Sequence, residues 1–421
     1  MKKLNIGYVG LGGRGMGLLD MVLNMDDVEV KAVCDKIPAR LEKGVQACAD
    51  KYGRVPDGTT NHKELVARGD IEAVIIPTSW NDHIKVAVDA INAGKYAAFE
   101  VGPAQSINEC FELVRAYERT GTPCMLLENC SYGRYELAVL NMVKKGLFGE
   151  IVHVQGGYEH DIRGLTGGYA NGQERIFHYI NRNGELYPTH EMGPIINYLN
   201  INRGNRMLSL TTMTSKSRGL REYINNSDEN AKANYPPADK EFALGDVITT
   251  CIKCAHDETI VLTHDTTLPR PYSRGGRVQG TKGLWMEDNN RIYIEGRSPE
   301  HTWENTDDYL GEYEHPLWKE FLKNVKGGHG GMDYLVMRAF LNAVRNKTAT
   351  PIDVYDSVSM MAISCLSEQS VAMGSMPVPI PDFTDGKWIK REAAPKSIFS
   401  LDSVHDDLFS KESIQSMEYS L

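Results

Sequence analysis

The 421-residue chain has no basic surplus: 46 lysines and arginines stand against 56 aspartates and glutamates, a net charge of −10. Nucleic acid is therefore not an expected partner, since phosphate backbones are bound by clustered positive charge, and no basic run breaks the balance. No apolar stretch reaches the roughly 20 residues that a bilayer crossing requires. Met1-Lys2-Lys3 leads straight into a strand-like run, without the apolar core and cleavage site of a secretory leader. A cytoplasmic protein with no membrane partner is the expectation. Cysteines are few and scattered, eight in all. Cys34, Cys124 and Cys251 lie inside apolar strand-like runs, as expected of buried free thiols in a reducing compartment. Cys251-Ile252-Lys253-Cys254 with His256 is half of a metal-site pattern that no second cluster completes. In a strand, residues three apart face opposite sides, so no metal is expected. There is no internal repeat and no low-complexity tract. What remains is an ordinary globular composition, 41% hydrophobic and 24% charged, at a length for two or three domains.

The residues that are present begin with a strand-like run, Leu4 to Val9, then Gly10-Leu11-Gly12-Gly13-Arg14-Gly15, then a helix-like run, Leu18 to Leu23. In a strand–turn–helix the spacing G-x-G-x-x-G makes a dinucleotide cradle. Gly10 forms the tight turn, Gly12 lets backbone approach a pyrophosphate, and Gly15 lets the helix pack on the strand. The free N–H groups at the helix start point at the phosphates. A second strand, Val28 to Cys34, ends in Asp35, placed to accept hydrogen bonds from the adenosine ribose. An acid there repels a 2′-phosphate and favours NAD over NADP. The bland alternative is a glycine-rich turn that opens an ordinary α/β domain.

Alternation continues through the first third. Helical stretches 39–52, 61–68, 83–93 and 107–119 are interleaved with apolar strands 71–78, 95–100 and 124–129. Repeated βα units predict a doubly wound parallel sheet with ligands at the carboxyl ends of its strands. The Gly10 turn, Asp35, the 78–83 loop, Glu100-Val101 and Asn129 fall at those ends. From Arg134 the rhythm changes. Strand-like segments 151–157, 207–213, 247–255, 259–265, 277–280 and 283–285 follow with few helices between them, and a polar stretch 225–241 reads as a surface loop. Helices return at 318–325, 332–343 and 354–373. The expected architecture is α/β: an N-terminal Rossmann domain, a doubly wound parallel sheet over residues 1–130. A C-terminal α+β domain with a large, mainly antiparallel sheet is expected over 131–421.

Two clusters in the second part carry chemistry. Tyr158-Glu159-His160-Asp161 ends a predicted strand, and Tyr187-Pro188-Thr189-His190-Glu191 precedes a helix-like run from Ile195. A neutral imidazole near a helix start is fit to accept a proton. A phenol needs a nearby cation or ordered hydrogen bonds to act as a base near neutrality. The plainer alternatives are a turn with Thr189 as helix cap and His190 merely exposed, and Tyr158 as a rim residue. His329-Gly330-Gly331-Met332-Asp333 opens a helix, where an acid suits the helix dipole and the glycines permit close backbone approach.

The combination resembles the Gfo/Idh/MocA superfamily. Its usual Glu-Lys-Pro motif falls at Glu100-Val101-Gly102-Pro103, without the lysine that ordinary members use as acid–base group. Within it the chain looks closest to glycoside hydrolase family 109, the NAD-dependent α-N-acetylgalactosaminidase group. Gly12 to Gly15, Trp80 to His83, Leu127 to Asn129, Gly157 to Asp161, Tyr187 to His190, Asn200 to Gly204 and His329 to Asp333 carry that likeness. The resemblance implies NAD contacts by Gly10, Gly12, Gly13, Arg14, Gly15, Asp35, Trp80, Asn81, Asp82, His83, Glu100, Val101, Asn129 and Tyr187. It implies sugar contacts by Tyr158, Arg175, Tyr187, Pro188, Thr189, His190 and Tyr272, with Tyr158 and His190 catalytic. One departure is Glu191, where relatives commonly have glycine; a bulky acid there could alter substrate choice. The reaction implied is glycosidic cleavage by transient oxidation at C3 of the sugar, elimination and water addition. A sugar or glycoside dehydrogenase is the alternative, and a cofactor-binding regulator a third. An exposed sheet face in the second domain makes a homodimer or homotetramer the expectation.

Overall fold

The computed structural model describes residues 2–169, 173–391 and 396–402. Six strands, β1 (Leu4–Val9), β2 (Val28–Cys34), β3 (Asp57–Thr59), β4 (Ala73–Ile76), β5 (Tyr96–Phe99) and β6 (Cys124–Leu126), form one sheet in the order β3-β2-β1-β4-β5-β6. Every pairing in it is parallel. Between them run α1 (Gly13–Leu23), α2 (Pro38–Tyr52), α3 (His62–Val66), α4 (His83–Asn92) and α5 (Ile107–Thr120). All four residues of β4 are buried, which is why the inner strands read as apolar runs rather than as alternation. α5 starts where the Ser106 hydroxyl accepts the Glu109 N–H at 3.2 Å and stops at Gly121, whose φ of 66° suits a residue without Cβ. The short strand β3, Asp57-Gly58-Thr59, is polar and has no periodicity to reveal it.

The second unit contains α6 (Arg134–Lys144), β7 (Ile151–Glu159), α7 (Glu174–Asn181), α8 (Thr189–Tyr198), β8 (Met207–Thr214), α9 (Gly219–Asn225), α10 (Glu229–Lys232), β9 (Val247–Cys254) and β10 (Thr259–Asp265). β11 (Arg277–Gly280), β12 (Gly283–Met286), β13 (Arg291–Ile294), β14 (Glu304–Asn305), α11 (Asp307–Tyr313) and, much later, β15 (Val378–Pro379) complete it. Its nine strands lie in the order β14-β13-β12-β11-β7-β10-β9-β8-β15. All pairs are antiparallel except β7 with β10, which sets Tyr158 beside His264. Burial alternates along β9: Ile248, Thr250, Ile252 and Cys254 face inward, and Thr249, Cys251 and Lys253 outward. Cys251 is thus exposed, not buried as its apolar neighbours suggested, and it faces away from Cys254. The stretch 225–241 is not all loop. Asp228 accepts the Ala231 N–H at 2.9 Å and starts the helical turn α10.

The two compact units do not divide the chain once near residue 130. Among the described residues, the first comprises 2–133 together with 316–359 and 396–402, and the second 134–169 and 173–315 with 360–391. In the first, α12 (Pro316–Phe321) and α13 (Met332–Asn346) rejoin the parallel sheet. Arg338 and Arg345 of α13 grip the Asp27 carboxylate at 2.8 and 2.8 Å. Periodicity tells which face of a helix is buried but not against what, so this return was not legible. α14 (Val354–Ala372) follows. Among the described residues no helix is long and apolar enough to cross a membrane.

Candidate active site

Each feature expected at a carboxyl end of the parallel sheet is there. Gly10 follows β1 with φ 111°, and a Cβ on it would lie 2.8 Å from the Pro77 carbonyl oxygen. A Cβ on Gly15 would stand 2.2 Å from the Gly10 carbonyl, so only glycine lets α1 pack this close to the turn. Nothing lies within 4 Å of the space a Gly13 side chain would take. α1 has no side-chain cap on Gly12 and no acid in its first turn. Its free N–H groups therefore face an open, uncompensated site that fits a pyrophosphate. Asp35 braces this cradle: its Oδ2 accepts the Leu11 N–H at 2.7 Å and its Oδ1 the Ile37 N–H at 2.8 Å. A second lone pair on each oxygen suits a ribose hydroxyl.

The 78–83 loop is held from within. Asp82 binds Lys36 at 2.8 Å and the Ser79 hydroxyl at 3.1 Å, while Asn81 is exposed. The Trp80 ring lies over Gly102, where a Cβ would meet its Cδ1 at 2.3 Å. His83 does not present its ring to the cleft. It is fully buried, with Nδ1 3.1 Å from the Glu100 carbonyl and Nε2 3.2 Å from that of Pro103. It secures the Glu100–Pro103 turn, in which Val101 is also buried. Arg14 turns to Glu100 (3.0 Å) and forms a two-pronged pair with Asp333 at 2.7 and 2.9 Å. Asn129 donates to the same carboxylate at 2.8 Å. The sequence marks Asp333 as a helix-start acid and as part of the family likeness; nothing in its spacing places it beside Arg14.

In the second unit Tyr158 is the centre. Its hydroxyl is 3.1 Å from Nδ1 of His160, and it hydrogen-bonds Arg175 of α7. Tyr187 lies 4.4 Å from the Tyr158 ring, centroid to centroid, and His190 5.5 Å, with Tyr187 and His190 themselves 4.9 Å apart. The Arg175 guanidinium sits over the Tyr187 ring at 5.4 Å. Burial opposes its charge, but the phenols of Tyr179, Tyr158 and Tyr187 hold its pKa above the ordinary arginine value. Burial, with Arg175 adding, pushes the His264 imidazole beside Tyr158 down to about 3, so that ring is neutral at ordinary pH. Tyr272 caps His160 with ring centroids 4.9 Å apart. Its loop is tied to β7 by paired Glu159–Ser273 backbone hydrogen bonds at 3.1 and 2.9 Å and by Arg270, which bridges Glu159 and Asp265. The Arg175 guanidinium and the His160 imidazole thus both stand at the Tyr158 hydroxyl.

The segment carrying Tyr187 to His190 is shaped by burial. Pro188, not Thr189, stands at the start of α8, and His190 is its second residue. Thr189 is fully buried, its hydroxyl without a partner among the described residues. Glu191 is buried too, its chain filling the space above Gly156, where a Cβ would lie 1.5 Å from Glu191 Cγ. Glu185, fully buried, accepts the Tyr187 N–H at 3.1 Å. Burial, only partly opposed by that N–H, pushes its carboxyl up from 4.5 to about 8. Between those values the folded protein holds a proton that the unfolded chain releases, so stability falls as pH rises through the window and levels off above it. Glu185→Gln should match the parent near pH 4 and exceed its stability by about 2–4 kcal/mol at pH 8–9. Denaturant titrations across pH check this, and parallel curves for the two proteins would refute it.

A dinucleotide cradle in one unit and a Tyr–His–Arg cluster in the other define an NAD-dependent enzyme built on the Gfo/Idh/MocA plan. Residues 4–127 match the family described as oxidoreductase family, NAD-binding Rossmann fold. Levoglucosan dehydrogenase in complex with NADH and levoglucosan shares the fold at a TM-score of 0.66 and 16% identity, over 90% of this chain and 100% of that one. Scyllo-inositol dehydrogenase from Lactobacillus casei with bound NAD(H) and scyllo-inositol does so at 0.64 and 15%, over 90% and 99%. Residues 132–390 match the description glycosyl hydrolase 109, C-terminal domain. An alpha-N-acetylgalactosaminidase of Tannerella forsythia is 43% identical over 93% of this chain and 88% of its own. A glycosyl hydrolase family 109 protein of Stenotrophomonas maltophilia is 42% identical over 95% and 92%, and an alpha-N-acetylgalactosaminidase of Shewanella oneidensis 38% over 92% and 86%. The chain belongs to glycosyl hydrolase family 109, and NAD is its cofactor.

Proposed function

We propose that the protein is a glycosidase that cleaves an N-acetylhexosaminide, the α-N-acetylgalactosaminide first among them because two relatives bear that name. Gly10, Gly12, Gly13, Arg14, Gly15, Asp35, the Trp80–His83 loop, Glu100, Val101, Asn129 and Tyr187 hold the cofactor. Tyr158, Arg175, Tyr187, Pro188, Thr189, His190 and Tyr272 hold the sugar. NAD, when bound, supplies a reversible hydride acceptor for C3, so the reaction is redox-neutral overall. His190 accepts the proton of the C3 hydroxyl as that carbon becomes a ketone. The ketone acidifies the C2 proton, which Tyr158 removes. The electron pair left at C2 becomes the C1–C2 double bond as the bond from C1 to the aglycone oxygen breaks. Water then adds at C1, its released proton balancing the one taken up by the departed aglycone oxygen, Tyr158 returns the proton to C2, and His190 returns its proton to the C3 oxygen. Paired carboxylates, on which ordinary glycosidases depend, are not required.

The observation that carries this reading is the setting of the Tyr158 hydroxyl, 3.1 Å from His160 Nδ1 and hydrogen-bonded by half-buried Arg175. Incubation with an α-N-acetylgalactosaminide aryl glycoside in D₂O tests it. Aglycone release with deuterium at C2 and no accumulating NADH is expected; steady NADH production without aglycone would replace it with a net dehydrogenase. We further propose a cytoplasmic homo-oligomer joined through the outward face of β8, β9 and β10. Met213 and Cys251 are exposed on that face and Val261 is half-exposed, and light scattering that finds only monomer would overturn it.

A further inference from the structure

We infer that Asp333 is a positioning residue of the NAD site, the hub that presets Arg14, Asn129 and, through Arg14, Glu100. The inference rests on the cofactor-contact reading of those three residues. They come from separate places in the parallel-sheet unit: the first turn of α1 and the segments following β5 and β6. Asp333, at the start of α13, joins them with its side chain 3% exposed. Oδ1 accepts from Arg14 Nη2 at 2.9 Å and Asn129 Nδ2 at 2.8 Å. Oδ2 accepts from Arg14 Nη1 at 2.7 Å and stands 2.8 Å from His329 Nδ1. All four lone-pair directions are thereby used. Burial alone would disfavour the charged form, but Arg14 and His329 hold the carboxyl well below the usual carboxylate range.

The backbone before α13 is bent to make this contact. Gly330 and Gly331 take φ 65° and 104°, a Cβ on Gly331 would strike the Phe321 ring at 2.3 Å, and one on Gly328 would lie 2.7 Å from Asp333 Oδ2. A long arginine at the mouth of the cradle has many rotamers, and a cofactor that had to order it would bind more weakly by that entropy. Asp333 orders Arg14 in advance, and the two carboxylates around it more than offset its charge, which leaves the phosphates to the backbone N–H groups of α1.

The test is the rate at which NAD bound to the purified full-length protein exchanges with isotopically labelled NAD, followed by native mass spectrometry. Asp333→Asn, which keeps size and removes the charge, should speed exchange roughly 10- to 30-fold. Arg14→Gln should do the same, and the double variant should exceed Arg14→Gln by less than about twofold, because Asp333 acts chiefly through Arg14, with Asn129 the smaller remainder. His329→Ala, at an exposed position that needs no core change, should speed exchange by about two- to threefold. Unchanged exchange in both Asp333→Asn and His329→Ala, or fully multiplicative effects in the double variant, would overturn the hub. Unchanged exchange in Arg14→Gln alone would instead show that Arg14 is no cofactor contact. A merely structural salt bridge would lower the unfolding midpoint without that coupling in the exchange rate.

Discussion

Tyr158→Phe should lower kcat for aryl-glycoside cleavage by roughly 10²- to 10⁴-fold while leaving the folded protein and its bound NAD in place. The phenyl ring can still pack on Tyr187 and His190, whose centroids lie 4.4 and 5.5 Å away, so the substitution deletes a proton carrier and little else. The hydroxyl is also the shared partner of His160 and Arg175, so without it neither cation nor imidazole has a group to act on at C2. Solvent deuterium should cease to enter C2 in the same proportion as turnover falls. Retention of more than a fifth of the parent kcat would remove Tyr158 from the mechanism.

Gly156→Ala should be severely destabilising, by about 3 kcal/mol or more in denaturant unfolding, because the new methyl would fall 1.5 Å from Glu191 Cγ and 2.5 Å from its Cβ. Gly156 lies two residues before Tyr158, on the same face of β7, and Glu191 is the neighbour of His190 on α8. The contact therefore sets how the helix carrying His190 meets the strand carrying Tyr158. Glu191→Gly in the same chain should recover most of the lost stability, since it empties the disputed space. A single variant as stable as the parent would show that the helix can shift at no cost. Glu191 is thus a buried packing element over Gly156 rather than an exposed acid beside His190.

Local chemistry explains what could be read without coordinates. The G-x-G-x-x-G turn, the acid ending β2 and the apolar inner strands each follow from requirements within a few residues: a positive φ at Gly10, no room for a Cβ at Gly15, and burial on both faces of the sheet. The Tyr158 and Tyr187–His190 clusters could be singled out in the same way, because their residue types suit proton transfer and their neighbours mark a strand end and a helix start. The direction of a side chain was less legible. His83 stood in a loop that reads as cofactor-facing, yet its ring turns inward to two carbonyls. Thr189 resembled a helix cap, but Pro188 takes that place, and Cys251 proved to be on the outward face of β9.

By itself the sequence determined the cofactor cradle, the alternation that builds a parallel sheet, and the residue types able to move a proton on a sugar, because each depends on neighbours along the chain. Only the tertiary structure decided that residues 316–359 rejoin the N-terminal unit, that Asp333 closes on Arg14, and that Arg175 supports Tyr158. Those pairings join residues up to 319 positions apart, and such contacts leave no periodic trace in the chain that makes them.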